Sequence, residues 1–254
     1  MSATVESPRS RNVGACLRAI LLAAGRGSRM KGSVADKILV PVEGASSFRR
    51  SHDAFAATGL FDSLVVVYRD EPQREALAAE LPEEGPPVLW IAGGNRRQDS
   101  VFHGLTEAGL ETDYVFIHDC ARPLVRPGDI ERLWEAVLRD KAAALARPVT
   151  DTIKKIHRRR THFRKCALRD LDRRTLWATE TPQAFAYQPF FDACQKTRQE
   201  PGGHTDDASI ASASGIKVSL VEPSAPNPKI TRPEDLDYAA FLLRRAASEP
   251  GGSP

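Results

Sequence analysis

The sequence predicts an α/β fold: a mostly parallel sheet with helices on both faces. Short apolar runs bounded by polar or turn residues recur along the chain, and most are separated by segments of helical period. Repeated strand, helix, strand order gives a parallel sheet, and such sheets bind ligands at the C-terminal ends of their strands. With 254 residues, 41% of them hydrophobic, the chain can fill a core for one large domain or two small ones.

In order, "RAILLAA" (18–24) predicts the first buried strand, ending in the glycine turn "AGRGSRM". Residues 46–58 carry helical spacing, "LVVVY" (64–68) a strand, 70–81 a helix, and "VLWI" (88–91) a strand. The same alternation continues through 98–109 (helix), "YVFI" (114–117, strand), 128–139 (helix) and "AAALAR" (142–147, strand). The rhythm then breaks: 150–177 has no clear period and lies between the proline-bearing "ARPVTDT" and "ETPQAF". This predicts an excursion from the sheet, a hairpin arm at about 150–178. "IKVSLV" (216–221) predicts the last strand. A single domain over 16–246 is expected between disordered tails at 1–15 and 247–254.

Charge is uneven. The net value is +3, yet residues 154–174 hold ten Lys/Arg and two acids, so this segment is +8 and the remainder −5. A nucleic-acid binder of single strands places stacking rings among its cations, whereas Phe163 alone interrupts this run, so no nucleic-acid partner is expected. No stretch approaches the roughly 20 apolar residues of a membrane span, and "MSATVESPRSRNVGACLR" lacks the apolar segment of a signal peptide. A cytoplasmic protein with no membrane partner is the expectation. Cys16, Cys120, Cys166 and Cys194 form no CxxC pair and predict reduced thiols.

Three turns carry candidate chemistry. In "AGRGSRM" the glycines let backbone N–H groups approach an anion, but Met30 stands where a dinucleotide fingerprint has its third glycine, and no Walker "GK[ST]" follows. Arg26, Arg29, Lys31 and Lys37 cluster there instead, a density of cations suited to a polyphosphate. "GGNRRQDSV" (93–101) follows a predicted strand and opens a helix, so further N–H groups face the binding edge. "IHDCARP" ends a strand on Asp119, a candidate for Mg²⁺ or ribose hydroxyls, with Arg122 able to pair with phosphate. His118 and Cys120 are read as packed side chains.

"LLAAGRGSRM", "GGNRRQDSV", "IHDCARPLV", "PVTDTIK", "LDRRTLWATETPQAF", "HTDDAS" and "NPKITRPEDL" together resemble the 2-C-methyl-D-erythritol 4-phosphate cytidylyltransferase family over about residues 19–241. The resemblance implies a Rossmann-like three-layer α/β/α domain, a protruding β-arm that forms a homodimer, and CTP- and Mg²⁺-dependent transfer to a sugar-alcohol phosphate. It implies a triphosphate site at Ala23, Ala24, Gly25, Gly27, Arg29 and Lys37, with Arg29 and Lys37 catalytic. Gly94, Asn95, Arg97 and Ser100 resemble the cytidine-recognition turn, and Asp119 the metal or nucleotide acid. Arg122, Thr152, Arg173, Thr181, Thr205 and Lys229 are similar to acceptor-binding positions, Arg173 reaching in from the partner's arm. The chain departs from the pattern at Asp36 before Lys37, at "KILVPVEG", at Cys120, at "NPK" and in its very basic arm. Two alternatives stay open: a D-ribitol-5-phosphate cytidylyltransferase, and a non-catalytic nucleotide sensor or RNA-binding protein.

Overall fold

Strand β1 (Leu17–Leu22) sets the layering, because Leu17, Ala19 and Leu21 pack into one apolar cluster and Ile20 into another on the opposite face. The computed structural model describes residues 14–25, 36–156, 166–198 and 203–248. After β1 a tight hairpin joins β2 (Pro41–Val42) to β3 (Ala45–Ser46), turning through Glu43 and Gly44, both at positive φ. Ser46 then caps helix α1 (Ser47–Ala57) by accepting the Arg49 N–H.

The chain proceeds through β4 (Ser63–Tyr68), α2 (Glu71–Ala78), β5 (Val88–Ala92), α3 (Arg97–Ala108), β6 (Tyr114–Asp119), α4 (Pro127–Asp140) and β7 (Ala142–Pro148). Strands β8 (Lys154–Ile156) and β9 (Leu168–Asp170) pair antiparallel as a hairpin separate from the main sheet. A short 3₁₀ turn (Arg173–Thr175) leads into β10 (Trp177–Ala186), α5 (Tyr187–Thr197), α6 (Asp207–Ala213), β11 (Ser219–Val221) and α7 (Glu234–Ser248).

The main sheet has seven strands in the order β11-β7-β10-β6-β1-β4-β5. All neighbours run parallel except β10, which is antiparallel to both β6 and β7. Core residues of α1, α2 and α4 pack against one face, and those of α3, α5 and α6 against the other, which makes three layers.

The predicted strands and first four helices are present, with ends that coincide or shift by at most three residues. Sequence patterning leaves β2, β3, β10, α5, α6 and α7 unpredicted. Helix α7 runs to Ser248, two residues into the stretch expected as a tail; the remainder of that tail, and residues 1–13 of the other, lie outside the described residues. Among the described residues no helix is long and apolar enough to cross a membrane.

Candidate active site

Strands β1 and β6 are parallel neighbours, with Leu22 in register with Asp119, so the loops after them open on the same edge of the sheet. The loop after β5 reaches that edge too, because its glycines pack closely: a Cβ on Gly93 would lie 2.6 Å from the Ala24 Cβ, and one on Gly94 2.4 Å from the Asp99 Cβ. Ser100 pins this loop, its hydroxyl accepting the Gly94 N–H at 3.0 Å. The Gly94 amide, expected to be available to a ligand, is therefore used internally.

Two adjoining cavities occupy the edge. The larger, about 370 Å³, is lined by Ala23, Ala24 and Gly25 of the first turn, by Gly94, Asn95, Arg97 and Ser100 of the second, and by Lys37. The smaller, about 180 Å³, is lined by Arg122, Thr181 and Thr205 among others. Arg97, Asp119 and Lys229 border both.

A chain of charges joins them. Arg97, the first residue of α3, makes a two-pronged contact with Asp207 at 2.9 and 2.7 Å and donates through Nε to Asp119 Oδ1 at 3.0 Å. The Lys229 ammonium donates to the other Asp119 oxygen. Burial pushes the Asp119 carboxyl up, but the Arg97 and Lys229 charges and hydrogen bonds outweigh it and hold it well below the usual carboxylate range. Asp207 is fully buried, and desolvation raises its pKa despite Arg97.

Behind Asp119 lies a neutral histidine. The Nε2 of His118 is 3.2 Å from the Arg122 carbonyl and 3.4 Å from the Ser51 hydroxyl, which itself donates to the Ser47 carbonyl. Both neighbours can only accept, so in the neutral ring the proton sits on Nε2 and Nδ1 accepts from the Thr181 hydroxyl at 3.2 Å. Thr181 Oγ1 also accepts the Asp119 N–H at 3.0 Å. Its hydrogen is thus committed, and toward a ligand Thr181 acts as an acceptor. Burial drives the imidazole down to about 4.

The segment that carries Lys229 is anchored to β6's loop. Asn227 accepts from the Leu124 N–H through its side chain and from Arg122 through its carbonyl, and Lys37 donates to the Ile230 carbonyl at 2.7 Å. Asp36, one of the departures noted above, accepts from Gln73 at 2.5 Å, Arg69 at 3.1 Å and the Ile38 N–H. It anchors the turn that bears Lys37.

The structure therefore brings together Ala23, Ala24, Gly25, Lys37, Gly94, Asn95, Arg97, Ser100, Asp119, Arg122, Thr181, Thr205 and Lys229. Gly27 and Arg29 lie outside the described residues. Thr152 and Arg173 are exposed on the arm, where Arg173 donates to the Thr150 carbonyl, and neither lines the cavities of its own chain. Cys120 is fully buried and its thiol is pushed up by desolvation, in keeping with a packed side chain. Sequence reasoning missed Asp207, Asn227 and Glu180. Asp207 stands in "HTDD" beside Asp206, which is the true cap of α6, and only the excess of one acid over the cap could have signalled it.

Among the described residues no three His, Cys, Asp or Glu side chains are arranged to hold a metal ion. Asp119 is the carboxylate bordering both cavities, and Mg²⁺ is commonly held by one or two carboxylates together with substrate phosphates.

The family model for 2-C-methyl-D-erythritol 4-phosphate cytidylyltransferase matches residues 17–245. A relative of that description from Pelotomaculum thermopropionicum is 36% identical over 228 residues, covering 89% of this chain and 93% of the relative. Another from Desulforamulus reducens is 37% identical, covering 89% and 96%. The crystal structure of the Francisella tularensis 2-C-methyl-D-erythritol 4-phosphate cytidylyltransferase superimposes with a TM-score of 0.74 at 25% identity, covering 90% of this chain and all of that one.

Proposed function

The chain belongs to the 2-C-methyl-D-erythritol 4-phosphate cytidylyltransferase family, and from that premise we propose that its two cavities hold CTP and 2-C-methyl-D-erythritol 4-phosphate for transfer of the cytidylyl group. The products are 4-diphosphocytidyl-2-C-methyl-D-erythritol and pyrophosphate. The observation that carries this assignment is Asp119, one carboxylate bordering both cavities and held by a cation from each of two different segments.

The chemistry asks for positioning and charge. A phosphate monoester is largely dianionic at neutral pH, its second pKa being about 6, so its oxygen attacks the CTP α-phosphorus without a general base. The neutral, buried His118 is not required as one. The larger cavity, with its glycine turns, takes the nucleotide; Lys37, and Arg29 in the first turn, neutralise the α-phosphate and the departing pyrophosphate. Arg122 and Lys229 take the acceptor's phosphate, and Thr181 receives a hydroxyl. The cavities meet at Asp119, which sets the two reactants side by side for in-line displacement. Asp119 is the residue that would hold Mg²⁺, and a bound Mg²⁺ supplies charge neutralisation on the CTP phosphates.

The arm is assigned to a homodimer. Exposed Ile153, Leu168 and Trp177 on and beside it support this, as does Arg173, which is exposed, lines neither cavity of its own chain and would serve the partner's. A cytoplasmic enzyme is the setting proposed. The test is product identity: with CTP labelled at the α-phosphate, label should appear in one CDP-linked polyol with one pyrophosphate released per turnover. Release of CMP alone contradicts it.

A further inference from the structure

Glu180 lies on β10 where the pairing with β7 shifts register, between Thr179 and Thr181. Its side chain is 2% exposed and borders the smaller cavity. Oε1 accepts from the Arg147 Nε at 2.5 Å, whereas Oε2 is buried with no hydrogen-bond partner among the described residues. Each oxygen of the other acids at this edge already accepts a hydrogen bond. Asp206 accepts from Ser209 on one oxygen and from Thr179 and Gln183 on the other, Asp207 is held by Arg97, and Asp119 by Arg97 and Lys229. Among the described residues lining this cavity, Glu180 is therefore the carboxylate with an oxygen that accepts no hydrogen bond.

We propose that Glu180 determines acceptor specificity by receiving a hydrogen bond from a hydroxyl of the polyol. A buried acceptor left unpaired is costly, and such exceptions mark places where a ligand or water completes the bonding. A carboxylate can only accept, so it pairs with a hydroxyl and repels a phosphate, which can only accept as well. Thr181, next along the strand, also offers an acceptor. The β10 wall of the cavity thus selects the hydroxylated end of the acceptor and turns its phosphate toward Arg122 and Lys229. This rests on the cytidylyl-transfer assignment.

The experiment is steady-state kinetics of the full chain with CTP and 2-C-methyl-D-erythritol 4-phosphate, comparing wild type, Glu180→Gln and Arg147→Met. Loss of a charge-assisted bond should raise the acceptor KM about 10- to 100-fold in Glu180→Gln, with the CTP KM within about twofold. Arg147→Met, which removes only the structural partner, should leave the acceptor KM within about threefold. An unchanged KM in Glu180→Gln, or an equal rise in both variants, overturns the proposal. Should Glu180→Gln fail to fold, wild type is run with analogues of the acceptor lacking one hydroxyl at a time. One analogue should lose about tenfold or more, and equal KM values across the set overturn the proposal. Wild type inactive with the parent acceptor defeats the functional assignment and this inference together; active wild type with an indifferent Glu180 defeats this inference alone.

Discussion

Lys229 reaches Asp119 across 110 positions of sequence, and with that contact the last loop of the chain closes on the end of β6. The pair lies where the two cavities meet, so the ammonium that holds the carboxylate is also within the space assigned to the acceptor's phosphate.

Replacing Lys229 by Met leaves Asp119 its Arg97 partner and removes the phosphate contact. The kcat/KM for the acceptor should fall roughly 10²-fold. Stability should change by less than about 1 kcal/mol, since a third of the Lys229 side chain is exposed. Kinetics alongside a urea titration separates the two, and a large stability loss with intact kcat/KM would make the contact purely structural.

Asp207→Asn strips Arg97 of its two-pronged partner inside the protein. Removing one member of a buried ion pair costs about 3–5 kcal/mol, and partial exposure of Arg97 together with its remaining bond to Asp119 lowers the expectation to about 2–4 kcal/mol. The CTP KM should rise as Arg97 loses its orientation. A shift below about 1 kcal/mol in chemical denaturation contradicts this account of the charge chain.

Lys37→Met should reduce kcat about 10²-fold or more with a smaller change in the CTP KM, because its charge matters most as the pyrophosphate departs. Pre-steady-state measurement of pyrophosphate release checks it; turnover near wild type removes Lys37 from the chemistry.

His118 gives a pH signature of folding. Its pKa is depressed by burial to about 4, below the ordinary value near 6.5 of the unfolded chain, so between these values the unfolded state binds more protons. Stability is therefore full above about 6.5 and is lost as pH falls toward 4, by about 3 kcal/mol at most. A His118→Gln variant, titrated by denaturant at each pH, should lack this component. An identical pH profile in both proteins contradicts the assignment.

Arg173→Ala should raise the acceptor KM with little change in kcat, since a phosphate contact remote from the reacting phosphorus gives mostly uniform binding. Because the contact is assigned to the partner's arm, wild-type specific activity should also fall on dilution. Kinetics and sedimentation at matched concentrations test both.

Most of the architecture was legible because parallel strands buried on both faces read as unbroken apolar runs, as in Leu64, Val65, Val66 and Val67. Strand β10 was not, since "WATETPQAFA" lacks alternation, contains Pro182 and bends at a register shift. Helix α5 carries Pro189 in its first turn, which sequence reads as a break although that position tolerates it. The glycine turns and Asp119 were legible as an anion site. Lys229 was legible only through its motif, for nothing in "NPK" tells that its loop folds back on Asp119. Asp207 and Glu180 stayed hidden because their roles depend on Arg97 and Arg147, partners far away in sequence.

Pyrophosphate release from the purified protein with CTP and Mg²⁺, offered 2-C-methyl-D-erythritol 4-phosphate and D-ribitol 5-phosphate in parallel, tests the cytidylyl-transfer assignment. Turnover is expected with the branched tetritol phosphate, with a kcat/KM for ribitol phosphate lower by at least about tenfold, the scale of one lost charge-assisted contact. Equal or greater turnover with ribitol phosphate, or none with either, contradicts it.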